Sequence, residues 1–353
     1  MDVDAWVRAR LPCSVVHLDA AAAGIVSTAV LDAQVRHLRR EAEVGAYVAE
    51  VEAEPAVTAG RARAAALLGL HADDVALPAS ALDAFAWLMA GWPLPRGGRL
   101  GIVGSDYGPH AAILRRLAGE RGWHLVPLPV DPLGRVVGVP GTLDLVALPH
   151  VASQRGVVQP VAALLASGAP VVLDIAQSLG QTPVPAGCAA YVGTSRKWLC
   201  GPRGVGLLAV DPGWAQRLVP PAWALPERSG LRRWDAPEAH VAGRVGWARA
   251  VQDWTPALLP AVHRLAATAR QVLAQTPWRV VEPLHEPTGI TTLLPPPGAD
   301  VAATRAALLA DGLLTTMVPA SRSADLSGPV LRVSTAAWVE PAALDTLAGA
   351  LRR

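Results

Sequence analysis

Lysine is almost missing from this chain. Of the 31 basic side chains in 353 residues, 30 are arginine and one is lysine, Lys197. A chain of this length ordinarily carries about twenty lysines. The richness in Ala, Arg, Gly and Pro points to a GC-rich coding bias, under which Lys drifts to Arg wherever a positive charge suffices. The remaining lysine is either a chance survivor or a residue retained for work that only a primary amine can do. A lysine of lowered pKa forms a Schiff base, and arginine does not. Cysteine is scarce as well. Cys13, Cys188 and Cys200 make neither a disulfide framework nor a spaced metal set, and they fit a reducing, cytoplasmic setting. The nine histidines are scattered, with no His-x-x-His or His-x-x-x-His spacing, which leaves a metal enzyme unsupported. No charge of one sign dominates: 31 basic residues face 29 acidic ones, so nothing marks a nucleic-acid or anionic-membrane partner. Long apolar runs are lacking too. The most apolar stretch, 75–95, is interrupted by Pro78, Asp83, Pro93 and Pro95, whereas a spanning helix needs about twenty apolar residues. The first ten residues include Asp2 and Asp4 and no apolar core of a secretory signal.

What is present is a folded, core-rich chain, 52% apolar and 17% charged, which excludes global disorder. Helical spacing runs over 25–50 and again over 58–70. Short apolar runs then alternate with helical ones: 75–77, 100–103, 125–128, 145–148 and 171–173 read as strands, and 81–90, 109–119 and 161–166 as helices. Buried strands separated by helices predict a mostly parallel sheet sandwiched by helices, an α/β fold. Two further strands, 191–193 and 205–210, bracket Lys197. Pro and Trp cluster over 212–237, and the pattern then becomes α+β. The expected division is a large domain over 15–240 and a smaller α+β domain from 1–14 and 241–353.

Chemistry concentrates around the lysine. The strand 171–173 ends in Asp174, with Gln177 three residues on. Ligands of open α/β sheets bind beyond the carboxyl ends of strands, where an Asp could hold a protonated heterocycle nitrogen or simply cap the next turn. Thr194 and Arg196 flank Lys197 with a hydroxyl and a guanidinium suited to phosphate. The Gly-rich stretch 201–206 reads on its own as a hairpin-like turn.

Asp174-x-Ala176-Gln177, followed by Lys197-Trp198-x-x-Gly201-Pro202-x-Gly204-x-Gly206, resembles the class V aminotransferase family. That family includes cysteine desulfurases, kynureninase and related lyases. The resemblance runs from Leu18-Asp19 to Leu331-Arg332-Val333-Ser334. Asp106-Tyr107-Gly108-Pro109, Pro287-Thr288-Gly289-Ile290 and Pro329-Val330-Leu331-Arg332 are closer still to a carbon–sulfur lyase branch.

The resemblance implies pyridoxal 5′-phosphate as cofactor and a homodimer. It implies a small amino-acid substrate, the sulfoxide of a cysteine conjugate bearing a trimethylammonium group, cleaved by β-elimination. Lys197 would carry the cofactor and act as base. Asp174 would pair with the pyridine nitrogen, and Gln177 would contact the ring oxygen, near which Ser153 falls. Thr194 and Arg196 would hold the phosphate, as would Ser80 and Ala81 in a turn, Pro78-Ala79-Ser80-Ala81, that departs from the family's Gly-rich form. Tyr107 or His110 would stack on the ring, with Tyr107 favoured. Arg332 would take the substrate α-carboxylate, and Tyr47, Trp234 and Trp87 are candidates to cage the trimethylammonium group. A desulfurase would need a nucleophilic cysteine shortly before Arg332, and 314–329 contains none. A transaminase and a non-catalytic binding protein on the same fold are the other readings.

Overall fold

A computed structural model describes residues 2–353 of the chain. It opens with α1 (Val3–Arg8) and β1 (Val16–His17), then two long helices, α2 (Thr28–Val44) and α3 (Ala46–Ala66). The predicted break between helices, after residue 50, lies instead at Gly45. Its φ of +89° and ψ of 150° are open to glycine at little steric cost, so one helix ends there and the next begins. α3 then continues through Pro55. That proline sits on an exposed face, where the helical bond it forgoes is replaceable by water.

The core is a seven-stranded sheet made of β2 (Val75–Ala76), β3 (Arg99–Ile102), β4 (His124–Pro127), β5 (Leu145–Pro149), β6 (Val171–Asp174), β7 (Ala190–Thr194) and β8 (Gly206–Val210). Its order is β2-β8-β7-β6-β5-β3-β4. Every strand is parallel to the others except β8, which pairs antiparallel with both β7 and β2. The helices α4 (Ala81–Gly91), α5 (Gly108–Arg121) and α6 (Val161–Leu165) connect these strands. β5, β6, β7 and β8 are buried over almost their whole length, as continuous apolar strands covered on both faces require. The strand order reverses between β3 and β5, which opens a crevice at their carboxyl ends.

After α7 (Pro212–Ala215) come α8 (Val241–Asp253) and α9 (Leu258–Leu273). α8 packs on α2 and α3, and its Trp247 and Val251 join the same apolar core as Val57, Leu77 and Leu207. Packing therefore places α8 with the large sheet, although composition had put 241 onward in the small domain. A second sheet contains β9 (Arg279–Val280), β10 (Ile290–Leu294), β12 (Thr316–Val318) and β13 (Val330–Ser334), in the order β12-β13-β10-β9 and antiparallel throughout. It is backed by α9, α10 (Val301–Ala310) and α11 (Pro341–Leu351). β11 (Leu313–Leu314) pairs in parallel with β1, so residues 16–17 also lie with this smaller unit. No helix among the described residues is long and apolar enough to cross a membrane.

Candidate active site

The carboxyl ends of β5, β6 and β7 come into register at one edge of the large sheet, with Pro149 beside Asp174 and Asp174 beside Val192. A cavity of about 470 Å³ opens there, and the second sheet closes its far wall. Ten of the residues expected in the site line it: Lys197, Asp174, Gln177, Thr194, Arg196, Tyr107, Ser80, Ala81, Ser153 and Arg332.

Lys197 sits in the turn that joins β7 to antiparallel β8, so the Gly-rich stretch is indeed a hairpin connection, with Thr194 paired to Gly206. The Lys197 amine is pulled down to about 7, chiefly by burial and further by the charges of Arg196, Arg332 and Arg322, with Asp174 opposing. A substantial share of it is therefore the neutral, nucleophilic amine at neutral pH.

Asp174 ends β6. Burial alone would raise its pKa, but His110, Lys197 and the Ala176 N–H together hold it below the ordinary carboxylate value. Ala176 N–H donates to Oδ1 at 2.8 Å, and His110 Nδ1 lies 3.4 Å from Oδ2. Asp174 is thus kept as an anion, the form that can hold a protonated ring nitrogen. His110 is itself stacked on Phe85 with ring centroids 4.1 Å apart. His110 thus lies between Phe85 and Asp174 and supports the carboxylate; both His110 and Tyr107 line the cavity, with the Tyr107 ring packed edge-on against His110, centroids 5.3 Å apart. Gln177 has both ends of its amide engaged. Its Nε2 donates to the Ala21 carbonyl at 3.0 Å, and its Oε1 accepts from Trp198 Nε1 at 3.0 Å. One N–H of that amide remains for a ligand.

The phosphate end is built differently from the expectation. Ser80 caps α4: its hydroxyl accepts from Asp83 N–H and donates to the Asp83 carboxylate. The hydroxyl is thereby spent on the helix, and the turn offers the first free backbone N–H groups of α4 in its place. β8 begins directly beneath that turn. A Cβ on Gly206 would lie 2.4 Å from the Ser80 carbonyl carbon and oxygen, so glycine is required for this approach. Arg196 adds charge; burial and then Arg203 lower its pKa, which marks a cationic pocket short of anions.

Arg332 lies at the centre of the second sheet, opposite Thr292 and Thr316. Its Nη1 donates to the Ser153 carbonyl at 2.6 Å and its Nη2 to Asp19 Oδ1 at 3.2 Å, while its Nε is buried without a partner. The guanidinium is oriented, and it keeps donors free for a carboxylate.

None of the three aromatics expected to cage a trimethylammonium group lines this cavity. Trp234 is fully buried in the core under α4, among Phe85, Leu88 and Leu231, where no ligand of the cavity can reach it. Trp87 packs edge-on against Trp223, outside the cavity lining. Tyr47 is 80% exposed on the first turn of α3 and does not line the cavity either. The chemical suitability of an aromatic ring for a cation carries no signal of which way the fold turns it. Sequence reasoning also missed Arg203, Arg322, Thr316 and Val318, all of which line the cavity. Arg322 lies within the stretch inspected only for cysteine. Among the described residues no cysteine lines the cavity: Cys13 is exposed elsewhere, and Cys188 and Cys200 are buried.

An enclosed amine, an ionised carboxylate, a helix N-terminus with adjacent arginines and an aromatic residue in the cavity wall fit pyridoxal 5′-phosphate, which needs one group for its aldehyde, ring nitrogen, phosphate and ring plane respectively. Sites of this kind are those of pyridoxal phosphate-dependent enzymes built on an open α/β sheet, and this chain is such an enzyme. Within that class it belongs to the class-V aminotransferase family, whose sequence pattern residues 16–224 match. A probable hercynylcysteine sulfoxide lyase of Mycobacterium tuberculosis (strain CDC 1551 / Oshkosh) is 40% identical over 94% of this chain and 88% of the relative. An isopenicillin N epimerase of Streptomyces clavuligerus is 28% identical over 72% and 73%. Among solved structures, apo cysteine desulfurase from Thermococcus onnurineus NA1 superposes with a TM-score of 0.87 at 17% identity, covering 100% of this chain and 98% of that one. The cystine C–S lyase C-DES, solved with cysteine persulfide, gives 0.85 at 17% identity, covering 96% and 97%. At such identities the structural likeness concerns the fold.

Proposed function

We propose that this protein is a pyridoxal phosphate-dependent carbon–sulfur lyase that cleaves hercynylcysteine sulfoxide by β-elimination. The observation that carries the reading is the convergence of Lys197, Asp174 and Arg332 on one cavity without a cysteine, together with 40% identity to a probable lyase of that substrate over nearly the whole chain.

Bound pyridoxal phosphate supplies an electron sink for the substrate α-carbon. Asp174, kept anionic by His110, holds the charge on the ring nitrogen. Arg332 binds the α-carboxylate and fixes which bond at the α-carbon faces Lys197. The neutral Lys197 amine removes the Cα proton. The Cβ–S bond then breaks, with the bonding pair leaving on the oxidised sulfur. The thioimidazole fragment departs as a sulfenic acid, which a thiol reductant takes to ergothioneine. The three-carbon fragment hydrolyses to pyruvate and ammonia. Thr194, Arg196 and the first turn of α4 anchor the phosphate, and Tyr107 covers the ring. The cytoplasm is the compartment that fits this chemistry.

The working unit in this reading is a homodimer. Leu38 of α2 and Tyr47, Val48 and Val51 of α3 are exposed apolar residues, of the kind a second copy would cover. Tyr47 meets a ligand only across such an interface.

Purified protein with pyridoxal phosphate is to be given hercynylcysteine sulfoxide in one assay and cysteine in another. Pyruvate from the sulfoxide alone, lost in Lys197→Ala, is the expected result. Sulfide and alanine from cysteine would replace the lyase with a desulfurase.

A further inference from the structure

The cavity holds more positive charge than a phosphate and one α-carboxylate use. Lys197, Arg196, Arg203, Arg322 and Arg332 reach its wall, and Asp174 is the one carboxylate among the lining residues. Arg332 is engaged by Asp19 and Ser153. Arg196 and Arg203 lie on the β7–β8 turn, next to Gly206 and the start of α4, which is the phosphate end. Arg322 belongs to neither group.

It reaches the cavity from the turn Ala320–Arg322, between β12 and β13, with its guanidinium carbon 5.5 Å from the centre of the Tyr107 ring. The nearby acid on its own loop, Asp325, is paired with Arg155 at 3.3 Å. Among the described residues Arg322 has no ion-pair partner. Its charge is nonetheless felt by Lys197, Arg196 and Arg332, whose pKa values are lowered first by burial and in part by Arg322.

The loop that presents Arg322 is fastened to the large sheet. Asp325 N–H and Ser323 Oγ both donate to the Gly104 carbonyl, at 3.2 and 2.9 Å. Gln154 Nε2 bridges Ser323 Oγ and Asp325 Oδ1, at 2.8 and 2.9 Å. A planar guanidinium on a fastened loop, resting near the Tyr107 ring and without an ion-pair partner among the described residues, is suited to bidentate recognition of a carboxylate.

We infer that Arg322 binds a second carboxylate of the substrate, remote from the reacting α-carbon, and thereby selects dicarboxylic cysteine conjugates over monocarboxylic ones. This rests on the lyase reading above; the betaine half of hercynylcysteine sulfoxide carries such a carboxylate. Arg322 is then a specificity residue, distinct from the α-carboxylate site at Arg332.

The test is calorimetric, on the holoenzyme, with two probes that lack the reacting amine. One is the desamino thioether conjugate of hercynine, with both carboxylates; the other has its betaine carboxylate converted to the primary amide. A charge-assisted pair lost on one side corresponds to about 10- to 100-fold in Kd, so the dicarboxylate is expected to bind tighter by that factor. In Arg322→Gln the gap closes to about threefold or less, while the amide's own Kd is unchanged, which also reports an intact fold. Arg322→Lys restores part of the gap. Equal affinities for the two probes in the unsubstituted enzyme, or a gap that survives Arg322→Gln, would overturn the assignment. Failure of the lyase reading has a different signature: no pyruvate from the sulfoxide, whatever calorimetry reports.

Discussion

Lys197 combines an enclosed position with a ring of like charges, and both remove protons from its amine. The sign of the resulting pH effect follows directly. Only the neutral amine attacks an aldehyde, and its fraction rises with pH up to a pKa of about 7. Reconstitution of apoprotein with pyridoxal phosphate, followed by absorbance, is therefore expected to accelerate about tenfold per pH unit below that point and to level off above it. An amine with an ordinary lysine pKa would keep accelerating to about pH 10, and that profile would contradict the burial argument. Asp174 and His110 complete the same logic. The histidine touches the carboxylate at 3.4 Å and is kept from turning by its stack on Phe85. Ser80 shows the opposite case: its hydroxyl is used inside α4, so backbone rather than side chain faces a phosphate.

At the scale of elements, a buried ion cluster holds the strand that leads into the phosphate turn. Arg61 of α3 and Asp235 are both 2% exposed and paired. Asp235 also accepts from Leu77 N–H at 2.8 Å, and Arg244 of α8 donates to the Leu77 carbonyl at 3.0 Å. Arg61 itself donates to the Val75 carbonyl at 2.8 Å, so three separate stretches converge on residues 75–77. Asp235→Ala removes the anion and strands the Arg61 charge in the core. Urea unfolding is expected to show a loss of about 3–5 kcal/mol; a change under about 1 kcal/mol would mean that the cluster does not bear on stability. The segment 281–293 has a related role. Glu282 accepts from Gly156 N–H and Thr292 N–H, each at 2.8 Å. It ties β10 to the loop carrying Ser153, against which Arg332 is set. Motif residues in that segment hold the site in place without lining it.

At the scale of the whole molecule, both sheets contribute residues to the wall of one cavity. The large sheet contributes the lysine, the carboxylate and the phosphate end; the small one contributes Arg332 and the loop of Arg322. The exposed apolar residues of α2 and α3 lie outside the cavity lining, with Tyr47 80% and Val51 74% exposed. Sedimentation of the purified protein is expected to give twice the chain mass of 36.7 kDa, with Val51→Glu shifting the population toward the single chain. A wild-type species of 36.7 kDa at micromolar concentration would remove the dimer from the reading.

Sequence alone determined what depends on local pattern and chemical type. Apolar runs placed the strands of the large sheet within a residue or two, because a strand buried on both faces has to be continuously apolar. The lone lysine, the strand-end Asp174 and Gln177 were legible because each needs a particular functional group at a particular point of the chain. Tertiary structure decided what depends on contacts between distant segments. Arg332 is oriented by Asp19, 313 residues away, and the loop of Arg322 is fastened by a bond spanning 219 residues. The pairing of β1 with β11 and the packing of α8 on α3 likewise leave no periodic trace. Trp234 and Tyr47 drew attention as aromatics, and the fold put one in the core and the other on the surface. The hydrophobic effect drives both kinds of ring toward cover, but only three-dimensional packing says which cover each one finds.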